Sequence, residues 1–93
     1  MGRTVIRRRA IVSGGVQGVG FRYTAQAEAM RLGVAGFARN RPDGTVEIEA
    51  EGPEQAVGAL LAWAASGPPW ASVESVDVAE LEPRGDTGFD IRS

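Results

Sequence analysis

The stretch Ser13-Gly14-Gly15-Val16-Gln17-Gly18-Val19-Gly20-Phe21-Arg22 limits what this chain can fold into more than any other. Four of the seven positions from Gly14 to Gly20 are glycine. Glycine loses the most conformational freedom on folding, so such a run is costly inside a strand or a helix. The stretch therefore reads as a loop. An apolar run ends before it at Val12, and a helical pattern starts after it near Phe21. A strand that runs through a glycine loop into a helix start makes a natural anion cradle. Successive backbone N–H groups form a nest there, and the free donors of the first helical turn point the same way. Arg22 adds a planar guanidinium fork that suits a phosphate.

Around this loop the periodicity predicts two helices and five strands. Residues 4–13 read as a strand, with Ala10 and Val12 on one face and Arg7, Arg9 and Ile11 on the other, so that an Arg-rich face meets water. Residues 21–32 read as a helix with Phe21, Ala25, Ala29 and Leu32 in its stripe, stopped by Gly33 with Val34 as the following apolar contact. A strand from Val34 to Asn40 leads into Arg41-Pro42-Asp43-Gly44, a turn in which Pro sets φ and Gly accepts a positive φ. The strand Thr45–Glu51 alternates cleanly: Val46, Ile48 and Ala50 inward, Glu47, Glu49 and Glu51 outward. Gly52-Pro53-Glu54 opens a second helix, with Pro at its first position and an acid in its first turn. Ala56, Val57, Leu60, Leu61 and Ala64 form its stripe, Trp63 packs at its edge, and Gly67-Pro68-Pro69 end it. A strand over about Val73–Leu81 and a short run over Gly88–Arg92 complete the chain. The order βαββαβ plus a terminal strand gives an α+β, ferredoxin-like split βαβ sandwich, with two helices on one face of an antiparallel sheet. Residues 1–93 make one domain.

Composition removes much of the catalytic repertoire. Cysteine and histidine are both absent. There is then no disulfide, no thiolate nucleophile, no Ser-His-Asp triad and no zinc site of the usual kind. Any chemistry has to run on Arg, Asn, Gln, carboxylates, hydroxyls or backbone amides. All ten basic residues are Arg, which points to codon bias rather than to function. No apolar run is long enough to span a bilayer, and the N-terminus lacks the apolar stretch of a signal peptide. Ile6 stands where a myristoylation motif needs Ser or Thr. The expectation is a soluble, cytoplasmic monomer.

The charge is polarised along the chain. Residues 1–41 hold eight Arg and one acid, a balance of +7, whereas residues 42–93 hold two Arg and eleven acids, a balance of −9. Such asymmetry marks an anion-binding face unless folding mixes the halves.

The loop fails the better-known phosphate patterns. A Walker A loop needs Lys and then Ser or Thr after its last glycine, where this chain has Phe21-Arg22. A dinucleotide fingerprint needs G-x-G-x-x-G, whereas the spacing from Gly15 is G-x-x-G-x-G. Gln17 either binds a ligand or braces the loop; bracing is the favoured reading. Asn40 is either a turn residue before Pro42 or an amide that both donates to and accepts from a water. An anion between Arg22 and the loop amides would remove the unfavourable placement of a cation at a helix start.

Two blocks carry a family resemblance. Gly15-Val16-Gln17-Gly18-Val19-Gly20-Phe21-Arg22 and Gly36-Phe37-Ala38-Arg39-Asn40, the latter followed by Asp43-Gly44-Thr45-Val46-Glu47, resemble the signature of the acylphosphatase family. The spacing between the blocks, Leu32-Gly33-Val34, Glu51-Gly52, Gly67-Pro68 and the Phe89-Asp90-Ile91-Arg92 ending match it as well, so the resemblance covers essentially the whole chain. It implies hydrolysis of the carboxyl–phosphate bond of small acyl phosphates, releasing inorganic phosphate, with no metal or cofactor and no nucleic-acid or membrane partner. It places the phosphate-binding arginine on Arg22, the catalytic asparagine on Asn40 and the phosphate loop on Gly15 to Gly20. Two departures stand out. Gly15 occupies a position that is often basic in the family, and Phe37-Ala38 replaces a frequent Trp-Val. The alternatives are an anion- or RNA-binding module on the same fold, for which the strands offer only Phe37 and Phe89 as stacking aromatics, and a domain cut from a larger maturation enzyme. The chain termini favour a free-standing protein over the second of these.

Overall fold

A computed structural model describes residues 4–93; Met1-Gly2-Arg3, read above for targeting signals, lie outside the described residues. The first strand, β1 (Val5–Gly15), runs further than its sequence pattern predicts and takes in two of the loop glycines. That corrects the expectation that these glycines lie outside regular structure. Pairing shifts register between Ser13 and Gly14, a bulge that bends the strand toward its end. Gly14 sits at φ 123°, and a Cβ there would stand 2.1 Å from the Ser72 carbonyl oxygen. Glycine is thus needed here so that the neighbouring backbone can approach.

The remaining elements follow the expected order: α1 (Phe21–Leu32), β2 (Ala35–Asn40), β3 (Val46–Pro53), α2 (Glu54–Ser66), β4 (Ser72–Leu81) and β5 (Phe89–Arg92). Gly33 closes α1 in the left-handed region, at φ 73°. The Val34 N–H bonds back to the Ala29 carbonyl at 2.9 Å and the Gly33 N–H to Met30 at 3.3 Å, which is how glycine ends a helix and satisfies its last carbonyls. Pro53 serves as the N-cap of α2 rather than its first helical residue.

The strands form one sheet in the order β4-β1-β3-β2-β5. The β1–β3, β1–β4 and β2–β3 pairs are antiparallel, while β5 lies parallel to β2. The sheet is therefore mixed: the predicted antiparallel four-stranded core stands, and the terminal strand adds to it in parallel. Both helices cover one face. Ala10, Val12, Ala38, Val46, Ile48 and Ala50 of the sheet are fully buried against Phe21, Ala25, Ala29, Val57, Leu60 and Ala64 of the helices. Burial of each large apolar side chain contributes about 1.5–3 kcal/mol. Trp63 packs on Phe21 with ring centroids 5.3 Å apart, fixing the start of α1 against α2.

The other face departs from the expected row of solvated charges. Arg7 is completely buried, and Glu47 and Glu51 are nearly so. Opposite charges face each other across the strands. Arg7 stands opposite Glu51 on β3, and Glu47 stands opposite Arg39 on β2. Arg7 and Glu51 bury each other, and the segment before β5 closes over them, Asp86 meeting Arg7 and the Arg84 and Gly85 N–H groups meeting Glu51. The charge halves of the sequence are thereby mixed: Arg7 meets Glu49, Glu51 and Asp86, Arg8 meets Glu54 and Glu80, and Arg39 meets Glu47.

Candidate active site

The end of β1, the start of α1 and the end of β2 converge at one edge of the sandwich. A cleft of about 190 Å³ lies there, lined by Val16, Gly18, Gly20, Phe21, Arg22, Tyr23 and Asn40. Alternation along β2 explains how Asn40 arrives: it stands opposite Val46, whereas Arg39, one residue earlier, turns to the charged face and pairs with Glu47. The cleft brings together Val16, Gly18, Gly20, Arg22 and Asn40 of the residues singled out in the sequence. Gly15, Gln17 and Val19 do not line it. Gly15 belongs to β1 and pairs with Ser72. The Gln17 amide turns away and donates to the carbonyls of Arg41 and Thr45, at 2.8 Å each. That is the bracing role, and it ties the loop to the β2–β3 turn beside Asn40. Val19 offers its carbonyl to the Trp70 indole N–H.

The loop is rich in idle donors. Gly18 and Gly20 sit at φ 76° and 75°, the conformation in which neighbouring N–H groups turn toward a common concavity. Gly20 caps α1 without any side-chain acceptor, and no acid occupies the first turn. Among the described residues, no N–H from Gln17 through Tyr23 makes a hydrogen bond of good geometry, whereas the Thr24 N–H bonds to the Gly20 carbonyl at 3.0 Å. The positive end of the helix dipole adds to that field.

Arg22 is half-buried and makes one hydrogen bond, from Nη1 to the Arg92 carbonyl at 2.6 Å. Among the described residues no carboxylate pairs with it, in contrast to Arg7, Arg8, Arg31 and Arg39. A neutral carbonyl holds the guanidinium without cancelling its charge. The site can therefore take up an oxyanion on backbone N–H groups and a guanidinium fork, with an amide side chain beside it. A larger open hollow of about 620 Å³ lies near the C-terminus of α1, lined by Val5, Met30, Val34, Glu51, Asp86 and Phe89 among others. Its carboxylates are already bound to Arg7, and its lining offers no cation for a phosphate.

Comparison with known proteins decides the family. The acylphosphatase family model matches residues 8–91. The chain belongs to the acylphosphatase family. It is 54% identical over 88 residues to the acylphosphatase of Anaeromyxobacter dehalogenans, covering 94% of this chain and 95% of that one. It is 49% identical to the acylphosphatase of Thermococcus kodakarensis, covering 92% and 94%. The crystal structure of acylphosphatase from Bacillus subtilis superimposes with a TM-score of 0.89 at 44% identity, over 92% of this chain and 97% of that one. Membership of the acylphosphatases makes this an enzyme of acyl phosphate hydrolysis. Among the described residues no helix is long and apolar enough to cross a membrane.

Three features of this cleft were not visible in sequence patterns. They are the Arg92 carbonyl on Arg22, Tyr23 in the cleft wall, and Trp70 on the loop. The first comes from a backbone atom, which no residue type announces. Trp70 follows two prolines at a helix end, a place where an indole has no helical stripe to join.

Proposed function

We propose that this acylphosphatase holds the phosphoryl group of its substrate on the loop and Arg22, with Asn40 directing the attacking water. The run of unpartnered N–H groups beside an arginine that lacks a carboxylate carries this reading. The backbone N–H groups of the loop, those of the cleft-lining Gly18 and Gly20 first and those of Gln17 and Val19 beside them, and the guanidinium fork take the phosphoryl oxygens; Val16 shapes the wall, and Gly15 supports the loop from the strand. These donors bind most tightly where negative charge gathers on the equatorial oxygens, which favours the transition state over the substrate. Asn40 accepts a hydrogen bond from the water at its side-chain oxygen and orients it for in-line attack. The water oxygen bonds to phosphorus, the bond from phosphorus to the acyl oxygen breaks, and the carboxylate departs with that electron pair. The water's proton passes to a phosphate oxygen, so the products are a carboxylate and inorganic phosphate. A carboxylate is a good leaving group, so the site needs neither a strong general acid nor a metal or cofactor. The chain acts as a cytoplasmic monomer, one domain spanning residues 1–93.

The RNA-binding alternative finds no platform on the sheet. Phe37 and Phe89 are both buried, and the Arg92 guanidinium lies 4.0 Å above the Phe37 ring, so neither offers a free face for stacking.

The test is hydrolysis of a small acyl phosphate in the presence of chelator, with the wild-type chain and Asn40→Ala side by side. Wild type should turn over without metal. Asn40→Ala should keep its affinity for inorganic phosphate and lose about 10²–10³ in kcat, the usual cost of one positioned catalytic group. Normal turnover by Asn40→Ala would remove Asn40 from the mechanism.

A further inference from the structure

Trp70 is placed as few surface residues are. The residue is 62% exposed, although an indole normally buries most of a large apolar surface. It sits in a turn from Pro68 to Ala71, closed by the Ala71 N–H on the Pro68 carbonyl at 3.0 Å. Pro69 before it fixes φ in that turn, and Pro68 is buried. The indole N–H is tied to the Val19 carbonyl of the phosphate loop. Backbone and polar tip are thus both anchored, while most of the side chain stays in water. Trp63 shows the contrast: its ring is packed on Phe21 against the core.

Topology says which side of the phosphate Trp70 occupies. In the order β4-β1-β3-β2-β5 the loop follows β1, with β4 next to it on one side and β3 and then β2 on the other. Asn40 is the last residue of β2. Trp70 stands two residues before Ser72, where β4 begins and pairs with Gly15. In phosphoryl transfer the attacking and leaving oxygens lie on opposite sides of phosphorus. A water on the Asn40 flank therefore sends the acyl group out on the β4 flank. The cleft itself, at about 190 Å³, is smaller than the ~300 Å³ at which pockets for whole small molecules begin. An acyl group of any size extends beyond it onto the rim.

We infer that Trp70 is a specificity-determining residue that receives the acyl group, and that the preferred substrates are acyl phosphates with a flat apolar acyl group, aryl above all. This rests on the hydrolytic reading above and adds the side of the substrate on which discrimination is made. Tyr23, 66% exposed and part of the cleft wall, supplies a second aromatic surface at the mouth.

The test compares kcat/KM for benzoyl phosphate and acetyl phosphate in wild type, Trp70→Ala, Trp70→Gln and Trp70→Phe. Dividing each variant's benzoyl-to-acetyl ratio by that of wild type cancels the intrinsic difference between the leaving groups. Trp70→Ala and Trp70→Gln should lower the ratio about tenfold, the order expected for losing an aromatic contact with its buried area. Trp70→Phe should keep most of it, because a flat aromatic ring remains although the pyrrole ring and its N–H are lost. Equal losses on both substrates, or an unchanged ratio in Ala and Gln, would overturn the proposal and leave Trp70 as a brace for the loop. Failure of wild type to hydrolyse either substrate would instead bring down the hydrolytic reading itself.

Discussion

Arg7 and Arg22 carry the same side chain in two surroundings that give it opposite uses. Arg7, on β1, is completely buried and hydrogen-bonded to three carboxylates: Glu49 at 2.9 Å, Glu51 at 2.8 Å and Asp86 at 2.9 Å. Arg22, at the start of α1, keeps some solvent access and touches a single neutral carbonyl. A guanidinium buried without carboxylates would cost several kcal/mol, so the first arrangement is what makes the burial of Arg7 tolerable. The second leaves a positive charge uncancelled beside idle N–H donors, and that charge is open to an anion. Neighbours, not residue type, separate the structural arginine from the one proposed to bind substrate. The two are linked through the C-terminal strand. Glu51 also accepts the N–H groups of Arg84 and Gly85 at 2.7 Å each, and the segment it fixes leads into β5, whose Arg92 carbonyl holds Arg22.

The sharpest way to break this comparison is to remove each arginine and measure both stability and activity. Arg7→Ala leaves Glu49, Glu51 and Asp86 without their shared cation, and a broken buried ion pair costs about 3–5 kcal/mol. Chemical denaturation should show that loss, while the fraction still folded binds inorganic phosphate normally. Arg22→Ala should do the reverse. Its stability should stay within about 0.5 kcal/mol of wild type, while phosphate binding disappears and kcat/KM falls by about 10²–10³. Loss of stability in both variants would show that Arg22 is a structural group too.

A smaller effect separates charge from geometry at the Arg22 end. Gln17 makes two hydrogen bonds to turn carbonyls and none to the cleft. Each such bond contributes a net of about 0.5–1.5 kcal/mol, most of it here holding the loop in its anion-ready form. Gln17→Ala should weaken phosphate binding about tenfold in a calorimetric titration, with every charge left in place. Undiminished affinity would mean that the glycine backbone holds its shape unaided.

Periodicity made the helices legible nearly to the residue, because Phe21, Ala25, Ala29 and Val57, Leu60, Leu61, Ala64 lie in single apolar stripes with glycine at the stops. The strands β2, β3 and β4 were legible for the same reason. Alternation could not reveal that Glu47, Glu51 and Arg7 are buried, since a charged residue reads as solvated until its partner is placed across the sheet, and those partners lie more than forty residues away for Arg7. Nor could it give β5 its direction, which is set by a partner strand rather than by local pattern. In the site, the glycine spacing marked the loop and Arg22 beside it, whereas Asn40 was singled out from its turn-residue reading only by the resemblance to the acylphosphatases. Spacing could not separate Gln17's bracing side chain from the cleft-lining residues, because that depends on where the β2–β3 turn comes to rest.

Acid offers the finest test of the Arg7 end. Burial alone would raise the Glu51 carboxyl, but the Arg84 N–H, the Arg7 guanidinium and the Gly85 N–H outweigh it and hold the group below its ordinary value of 4.5. For a carboxyl depressed on folding, the stabilisation is fully present above the unfolded value and is lost as pH falls through the folded one. Around Glu51 stand Arg7, Glu49, Asp86 and Arg84, so protonation there loosens a shared cluster rather than one pair. Denaturation midpoints of wild type should therefore hold steady toward neutral pH and decline below about pH 4.5. Glu51→Gln keeps an acceptor oxygen for the backbone N–H groups but cannot titrate. It should be less stable than wild type at pH 7 and show a flatter acid limb, with phosphate affinity at pH 7 unchanged. An acid limb as steep as that of wild type would assign the loss to other carboxylates and separate the two ends of the molecule more completely than their link through β5 implies.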